Sequence, residues 1–248
     1  GGGRGIGRVI ALTLAKEGAD VVVAARTKED VDRVAEEIRA LGRRGVALVS
    51  DVMIEEDIIK MIDTTVRSLG KLDILVNNVG LRGPILNVVD MDLKGWNDTL
   101  TANLTGTMLC SREALKHMIP RRTGTIISIS SDFGKRGIAT RAAYVCSKWG
   151  QVALTQCLAH EAAEYNVRVN CICPGTVDGP RIDNLVAVES KRLGVSPESY
   201  RRGLEEEAAM KRLVTAEEVA NGVLFLASDE ASGITGQSLN VCGGTVFS

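Results

Sequence analysis

Apolar residues follow two patterns that alternate along the chain. Short continuous apolar runs are typical of strands buried on both faces of a sheet, whereas apolar residues that recur every three or four positions are typical of helices. The runs predict strands at 20–25, 46–49, 72–76, 125–129, 167–172 and 238–241, and the periodic segments predict helices at 6–17, 28–41, 54–69, 96–119, 142–165 and 215–227. Strands that alternate with helices indicate an α/β fold with a doubly wound parallel sheet.

The pattern also predicts the domain organisation. No linker, repeat or low-complexity tract divides the chain, so residues 1–248 are expected to form a single domain. Between the predicted strands at 167–172 and 238–241, the pattern predicts an irregular, partly helical excursion at residues 178–212. This excursion is long enough to act as a mobile lid. Thr215 is the expected N-cap of the last helix, with Glu218 at its third position.

Composition narrows the possible functions. The net charge is −1 and charges of both signs alternate, which does not favour nucleic-acid binding. No apolar run approaches the roughly 18 residues that span a bilayer. The six cysteines form no paired framework, so a reducing cytoplasm is the expected setting. Cys171 and Cys173 alternate on a predicted strand as small core residues, and no metal site is predicted because no second ligand pair accompanies them.

The chain opens on a glycine-rich turn, Gly1-Gly2-Gly3-Arg4-Gly5-Ile6-Gly7, in which glycines 1, 5 and 7 precede a helical pattern. Backbone without Cβ atoms lets N–H groups and a helix N-terminus approach a pyrophosphate. A flexible glycine-rich segment is the alternative interpretation. A strand should directly precede such a turn, and in a doubly wound sheet that strand is central. We therefore expect about ten further residues ahead of Gly1 in the folded molecule.

Tyr144 and Lys148 are four residues apart in a predicted helix, so they share one helix face. A nearby ammonium group favours the ionised phenol and would lower the tyrosine pKa from about 10. Such a tyrosine can give a proton to a bound oxygen or take one from it. The spacing alone is weak evidence, because an amphipathic helix with a surface lysine has the same appearance.

Polar residues follow the predicted strands at the edge where parallel sheets bind ligands. Together with the helix residues, they resemble the short-chain dehydrogenase/reductase family of roughly 250 residues over essentially the whole chain. The matching residues are the glycines 1, 5 and 7, Asp51, Asn77-Asn78-x-Gly80, Asn103, Ser131, Tyr144-x-x-x-Lys148 and Pro174-Gly175-x-Val177. Ser131 precedes Tyr144 by 13 residues, which is the usual spacing in that family.

The resemblance implies a Rossmann-type fold, a nicotinamide cofactor and a set of catalytic roles. Tyr144 would exchange a proton with the substrate oxygen, and Ser131 would hydrogen-bond to that oxygen. Lys148 would lower the pKa of Tyr144 and hold the nicotinamide ribose, and Asn103 would anchor a water that relays protons to Lys148. Ser130 is the competing choice for the serine.

The resemblance also implies the cofactor-binding residues. They are Gly1, Gly3, Arg4, Gly5, Ile6, Gly7, Arg26, Thr27, Asp51, Val52, Asn78, Val79, Gly80, Tyr144, Lys148, Pro174, Gly175, Thr176 and Val177. Two positions differ from the family pattern. Val79 stands where the family usually has alanine, and Gly179 stands where a threonine often contacts the cofactor, so that contact is lost or passes to Thr176.

The choice of nicotinamide depends on charge. An acidic residue at the end of the second strand of such a fold binds the ribose of NAD and repels a 2′-phosphate. Here Ala25 holds that position, followed by Arg26 and Thr27, and Arg4 adds a second cation. Because a guanidinium suits a phosphate, NADP(H) is predicted and NAD is the alternative. Arg26 stacked on the adenine is the other interpretation of that residue.

The expected activity is the interconversion of a ketone and a secondary alcohol. A narrower possibility is a 3-oxoacyl-[acyl-carrier-protein] reductase, and a nicotinamide-binding regulator without turnover is an alternative of another class. Five cations are expected around the site's mouth and suggest an anionic substrate: Arg82, Lys135, Arg136, Arg141 and Arg181.

A homotetramer is also expected. The helices at 96–119 and 142–165 carry apolar residues on more than one face; in the second helix these are Trp149, Leu154 and Leu158.

Overall fold

A computed structural model describes residues 1–248 as one α/β unit of nine α-helices and six strands. In chain order they are α1 (Gly5–Lys16), β1 (Val21–Ala25), α2 (Lys28–Ala40), β2 (Gly45–Val49), α3 (Glu55–Leu69), β3 (Ile74–Asn77), α4 (Leu93–Leu100), α5 (Gly106–Arg121), β4 (Gly124–Ile129), α6 (Ala142–Ala162), β5 (Val167–Pro174), α7 (Pro180–Leu193), α8 (Pro197–Glu206), α9 (Ala216–Ala227) and β6 (Ser238–Val241). Every strand predicted from the apolar runs is present. None of the helices is both long and apolar enough to cross a membrane.

All strand pairs are parallel, as predicted, but they form two sheets. β1 pairs with β2, and the second sheet has the order β3-β4-β5-β6. A cavity of about 390 Å³, lined by residues of both β1 and β3, lies between the two sheets. The strand expected ahead of Gly1 stays a prediction.

Helices cover both faces of the four-stranded sheet, which explains why its strands are continuous apolar runs. On one face α5 and α6 pack on β4 and β5 around Met118, Ile126 and Val169. On the other face α1 and α9 pack around Ile127 and Ile172. Cys171 and Cys173 on β5 are fully buried, as predicted for small core residues.

The helix predicted at 96–119 is divided in the structure. A π-helical turn, Thr101–Thr105, separates α4 from α5 and contains Asn103. Apolar periodicity did not reveal this turn, because one wide turn shifts the pattern by a single residue. Turns of this kind occur frequently at functional sites.

The 178–212 excursion is partly helical, as predicted, but more regular than expected, because it contains the two helices α7 and α8. Its role as a mobile lid stays a prediction. Pro180 is the first residue of α7. It follows the N-cap Gly179, whose φ of 136° suits only glycine. Gly194 ends α7 in a left-handed conformation, and Ser196 caps α8 by accepting from the N–H of Ser199. The predicted capping box of α9 is confirmed, because Thr215 and Glu218 bond reciprocally.

Candidate active site

The glycine turn is held against the ends of β1 and β3. The N–H of Gly2 donates to the carbonyl of Ala24 at 3.1 Å, and Nδ2 of Asn78 donates to the carbonyl of Gly1 at 2.8 Å. A Cβ at Gly7 would collide with that carbonyl and with the Asn78 amide. The sequence therefore needs glycine here for close packing of the turn.

The start of α1 fits a pyrophosphate. Its first turn carries no acidic residue, and the N-cap Arg4 makes no side-chain hydrogen bond to it. The first N–H groups of a helix have no partner within the helix, so these donors, together with the helix dipole, suit a phosphate. The glycine turn and the residues after β3 are in contact, since a Cβ on Gly1 would lie 3.0 Å from Val79.

No carboxylate stands at the end of β1, where Ala25 is followed by the exposed Arg26. Nη1 of Arg26 lies 3.8 Å from Oδ2 of Asp51 across the ends of β1 and β2. Asp51 itself shapes its turn, because its Oδ1 accepts from the N–H of Met53 at 3.0 Å. Thr27 is the N-cap of α2 and its side chain makes no cap hydrogen bond.

Tyr144 and Lys148 lie one turn apart on α6, with the Lys148 Nζ 5.6 Å from the centre of the phenol ring. Lys148 is buried, and its Nζ donates to the carbonyl of Ile129 at 2.8 Å and to Oε1 of Gln151 at 2.9 Å. An ammonium has three donors, so one remains for a ligand. A Cβ on Gly80 would lie 3.7 Å from this Nζ, which places the loop after β3 beside Lys148.

Gln151 joins Lys148 to the π-helical turn. Its Nε2 donates to the carbonyl of Asn103 at 2.8 Å and to Oγ1 of Thr107 at 2.9 Å. The Asn103 carbonyl also accepts from Oγ1 of Thr107 at 2.7 Å, so both of its lone pairs are used. Asn103 was expected to anchor a water that relays protons to Lys148. That role stays a prediction. The Gln151 amide also joins Lys148 to the Asn103 carbonyl directly, and sequence reasoning missed Gln151.

The two candidate serines have different partners. Oγ of Ser130 donates to the carbonyl of Lys148 at 2.9 Å, and it lies against Gly134. Oγ of Ser131 donates to Oδ1 of Asp132 at 2.9 Å and is adjacent to the phenol of Tyr144. Ser130 therefore holds α6 in place through the backbone of Lys148, whereas Ser131 lies beside the Tyr144 phenol.

Burial changes the proton affinity of both α6 groups. Burial raises the pKa of the Tyr144 phenol above its usual value, and the charge of Arg181 and the Ser131 hydroxyl oppose this rise. Burial and then the charge of Arg181 lower the pKa of Lys148 to about 7. The expectation that Lys148 lowers the pKa of Tyr144 is not met here, because loss of hydration is the dominant effect on the phenol.

The residues after β5 complete the site. The N–H of Gly175 donates to the carbonyl of Val241 at 3.1 Å, and a Cβ at Gly175 would lie 2.9 Å from the backbone of Cys242. The carbonyl of Thr176 accepts from the N–H of Val214 at 3.1 Å, and Val177 forms a parallel bridge with Val214. These contacts fix the loop between β5 and α7 at the same sheet edge as the glycine turn.

Comparisons with known proteins agree with this geometry. A family model described as enoyl-(acyl carrier protein) reductase matches residues 1–246. A short-chain dehydrogenase/reductase of Armillaria gallica is 38% identical over 250 residues, covering 100% of this chain and 94% of that protein. The chain belongs to the short-chain dehydrogenase/reductase family. It is an oxidoreductase that acts on CH–OH or carbonyl groups with a nicotinamide cofactor.

Other members of the short-chain dehydrogenase/reductase family are similarly close. The 3-oxoacyl-[acyl-carrier-protein] reductase FabG of Staphylococcus aureus is 36% identical over 245 residues, 98% of this chain and 95% of that protein. A crystal structure of a variant of actinorhodin polyketide ketoreductase with NADPH has a TM-score of 0.94 and 34% identity, covering 99% of this chain and 94% of that one. NAD+-bound xylitol dehydrogenase has a TM-score of 0.93 and 31% identity, covering 98% and 95%.

Proposed function

We propose that this short-chain dehydrogenase/reductase interconverts a ketone and a secondary alcohol with NADP(H). The observation that carries the proposal is the placement of Tyr144, with Ser131 beside its phenol and Lys148 one turn away, at the sheet edge that also holds the glycine turn. The nicotinamide supplies or accepts the hydride. Tyr144 gives a proton to the substrate oxygen in reduction and takes it back in oxidation. Ser131 hydrogen-bonds to that oxygen and stabilises its developing charge.

The preference for NADP(H) is supported by the charges at the end of β1. Arg26 is exposed there and Ala25 offers no acceptor for a ribose hydroxyl. Of the carboxylates at the start of α2, Asp30 is ion-paired with Arg33 at 2.8 Å. Arg26 has only the 3.8 Å contact with Asp51 and is 71% exposed in its side chain, so its guanidinium can turn to meet a 2′-phosphate.

A spectrophotometric screen tests the proposed function. Ketones, secondary alcohols and 3-oxoacyl thioesters are offered with NADPH or NADH, or with their oxidised forms, and absorbance of the reduced nicotinamide is followed. Turnover of ketones or alcohols with NADP(H) supports the proposal. Binding of the nicotinamide without turnover of any compound would instead favour a non-catalytic nicotinamide-binding regulator.

The same screen tests reduction of 3-oxoacyl groups on an acyl carrier protein, which the FabG relative favours. Such a carrier is acidic and needs free cations to dock. The adjacent cations Arg121 and Arg122 are engaged within the chain: Arg121 pairs with Asp73, and Nη2 of Arg122 donates to the carbonyl of Glu164 at 2.6 Å. Ketones without a carrier are therefore the first choice.

We also propose a homotetramer of dihedral symmetry in a reducing cytoplasm. All six cysteines are free thiols, in keeping with that compartment.

The assembly is argued from α6. Leu158 is part of the core and Leu154 packs against it. Of the three apolar residues expected on a second face of α6, only Trp149 therefore remains, at 49% exposure. A twofold contact would cover this side chain. Light scattering should give the mass of four chains and a lower mass for Trp149→Glu; a monomer in the wild type would overturn the assembly.

A further inference from the structure

The structure separates the five cations expected around the mouth into two groups. Nζ of Lys135 donates to the carbonyl of Ser238 at 2.8 Å. Arg136 forms ion pairs with Asp132 at 2.8 Å and with Glu207 at 3.1 Å. Both of these cations therefore already have partners within the protein. The guanidinium groups of the remaining three make no hydrogen bond or ion pair; they are Arg82, Arg141 and Arg181.

The lack of partners is unusual for arginines in this chain. Eight arginines are partly buried, and all but Arg82 and Arg141 bond to a carboxylate or a backbone carbonyl. The six with partners are Arg8, Arg43, Arg112, Arg136, Arg168 and Arg201. A partly buried guanidinium without a partner loses hydration and gains no ion pair. Arg82 and Arg141 therefore carry a cost that a bound anion would remove.

Backbone contacts bring these arginines to the site. Arg141 is the N-cap of α6, three residues before Tyr144, and the two side chains are close enough for their charges to interact. Arg82 follows Leu81, whose N–H and carbonyl are both held by the Asn103 side chain, at 2.6 and 2.9 Å. The N–H of Leu86 bonds to the carbonyl of Thr140 at 3.0 Å, which joins the loop of Arg82 to the loop of Arg141.

Arg181 reaches the same region from α7. Burial, and then the charges of Arg181 and Arg141, lower the pKa of Arg82, and the charge of Arg181 also opposes the rise in the Tyr144 pKa. The negative group that faces Arg82 and Arg141 is the buried Glu189, which is itself ion-paired with Arg192 at 2.8 Å. The cluster therefore keeps an excess of positive charge beside the phenol.

We propose that Arg82, Arg141 and Arg181 bind an oxyanion carried by the substrate, a carboxylate or a phosphate ester, and so place its carbonyl group at Tyr144. Guanidinium groups bind both anions through paired N–H donors. Arg82 and Arg141 are partly buried, Arg181 is exposed on α7, and the three come from separate elements. The inference rests on the proposed function, and it names an anionic hydroxy or keto compound as the substrate class.

Matched substrates test the proposal. Each ketone that is turned over is compared with a partner of the same skeleton that differs only in charge: a keto acid with its methyl ester, and a hydroxyketone phosphate with the free hydroxyketone. The wild type should favour the anionic member in kcat/KM by roughly tenfold or more, the scale of a charge-assisted hydrogen bond. The two series distinguish a carboxylate from a phosphate.

Variants assign the preference to the arginines. Arg141→Met and Arg82→Met should each raise KM for the anionic member roughly tenfold and leave the neutral member nearly unchanged, and Arg141→Lys should recover part of the loss. Arg202→Met, which removes an exposed cation from α8, is the matched control and should have no effect. Equal turnover of both members by the wild type would overturn the anion site while leaving the oxidoreductase function intact.

A binding measurement covers the case in which no compound is turned over. Calorimetry with inorganic phosphate and with acetate, on enzyme saturated with NADPH, should detect binding in the wild type and in Arg202→Met but not in an Arg82→Met/Arg141→Met double variant. Equal binding, or no binding, in the wild type and the double variant would overturn the anion site. Absence of turnover with every compound would count against the proposed function alone.

Discussion

Gln151 accepts a hydrogen bond from Nζ of Lys148 at 2.9 Å, three residues further along α6. Gln151 is fully buried, and its amide nitrogen is bound to the carbonyl of Asn103, 48 residues away in sequence. An amide is a fixed donor and acceptor, so it holds the ammonium in one position relative to the π-helical turn. Gln151 therefore fixes the position of Lys148, and as an acceptor it favours the charged form of that lysine.

Substitution of Gln151 should change the pH dependence of the enzyme. The carboxylate of Gln151→Glu favours the charged lysine, so the pKa of Lys148 should rise above its value of about 7. Gln151→Leu removes an acceptor from a buried ammonium and should lower that pKa further. The pH profiles of kcat/KM measure both shifts. Gln156→Leu, at an exposed position on the same helix, is the control. Unchanged profiles in both Gln151 variants would contradict the role.

Binding of the cofactor should be accompanied by proton uptake at pH 8. Lys148 has a pKa of about 7 in the free protein, so it is mostly neutral at this pH. The net negative charge of bound NADPH, whose nicotinamide ring is neutral, favours the ammonium form and raises the pKa, so a proton is taken up. Calorimetry in Tris and in HEPES, which differ in ionisation enthalpy, measures the number of protons. Lys148→Met should abolish the uptake; the same uptake in this variant would assign it to another group.

Tyr144→Phe should bind the nicotinamide nearly as well as the wild type and lower turnover by at least about a hundredfold, the scale of general acid–base catalysis. The variant removes the proton donor and keeps the ring, which packs edge-on against Phe133. Fluorescence titration of the cofactor and steady-state rates separate the two effects. Tyr165→Phe, beyond the C-terminal end of α6, should leave both unchanged. Wild-type turnover by Tyr144→Phe would refute the mechanism.

The double variant Ala25→Asp/Arg26→Ile should move the cofactor preference from NADP(H) to NAD(H). The carboxylate introduced at the end of β1 would offer an acceptor for the ribose hydroxyls and repel a 2′-phosphate, and the loss of Arg26 removes the cation that faces it. Values of kcat/KM with both cofactors measure the change. A wild type that already prefers NAD(H) would show that the charge argument is wrong.

Local spacing was sufficient for much of this protein. The fold class, the position of every strand and of five of the nine helices, and the capping box of Thr215 and Glu218 depend on residues close together in the chain. The pairing of Tyr144 with Lys148 is also local, because a helix turn places residues four apart on one face. These features follow from the periodicity of helices and strands, which a single sequence displays directly.

Only the tertiary structure decided how the polar side chains are partnered. In the structure Arg136 is neutralised by Asp132 and Glu207, whereas Arg141 stays unpaired. The sequence did not indicate this difference, because both arginines lie in the same loop before α6. The contact of Gln151 with Asn103 also joins distant segments, across a π-helical turn that apolar periodicity does not reveal. The pKa of Tyr144 was expected to fall and instead rises. Loss of hydration, the larger effect, depends on how the whole chain packs around the phenol, and helical spacing gives no measure of it.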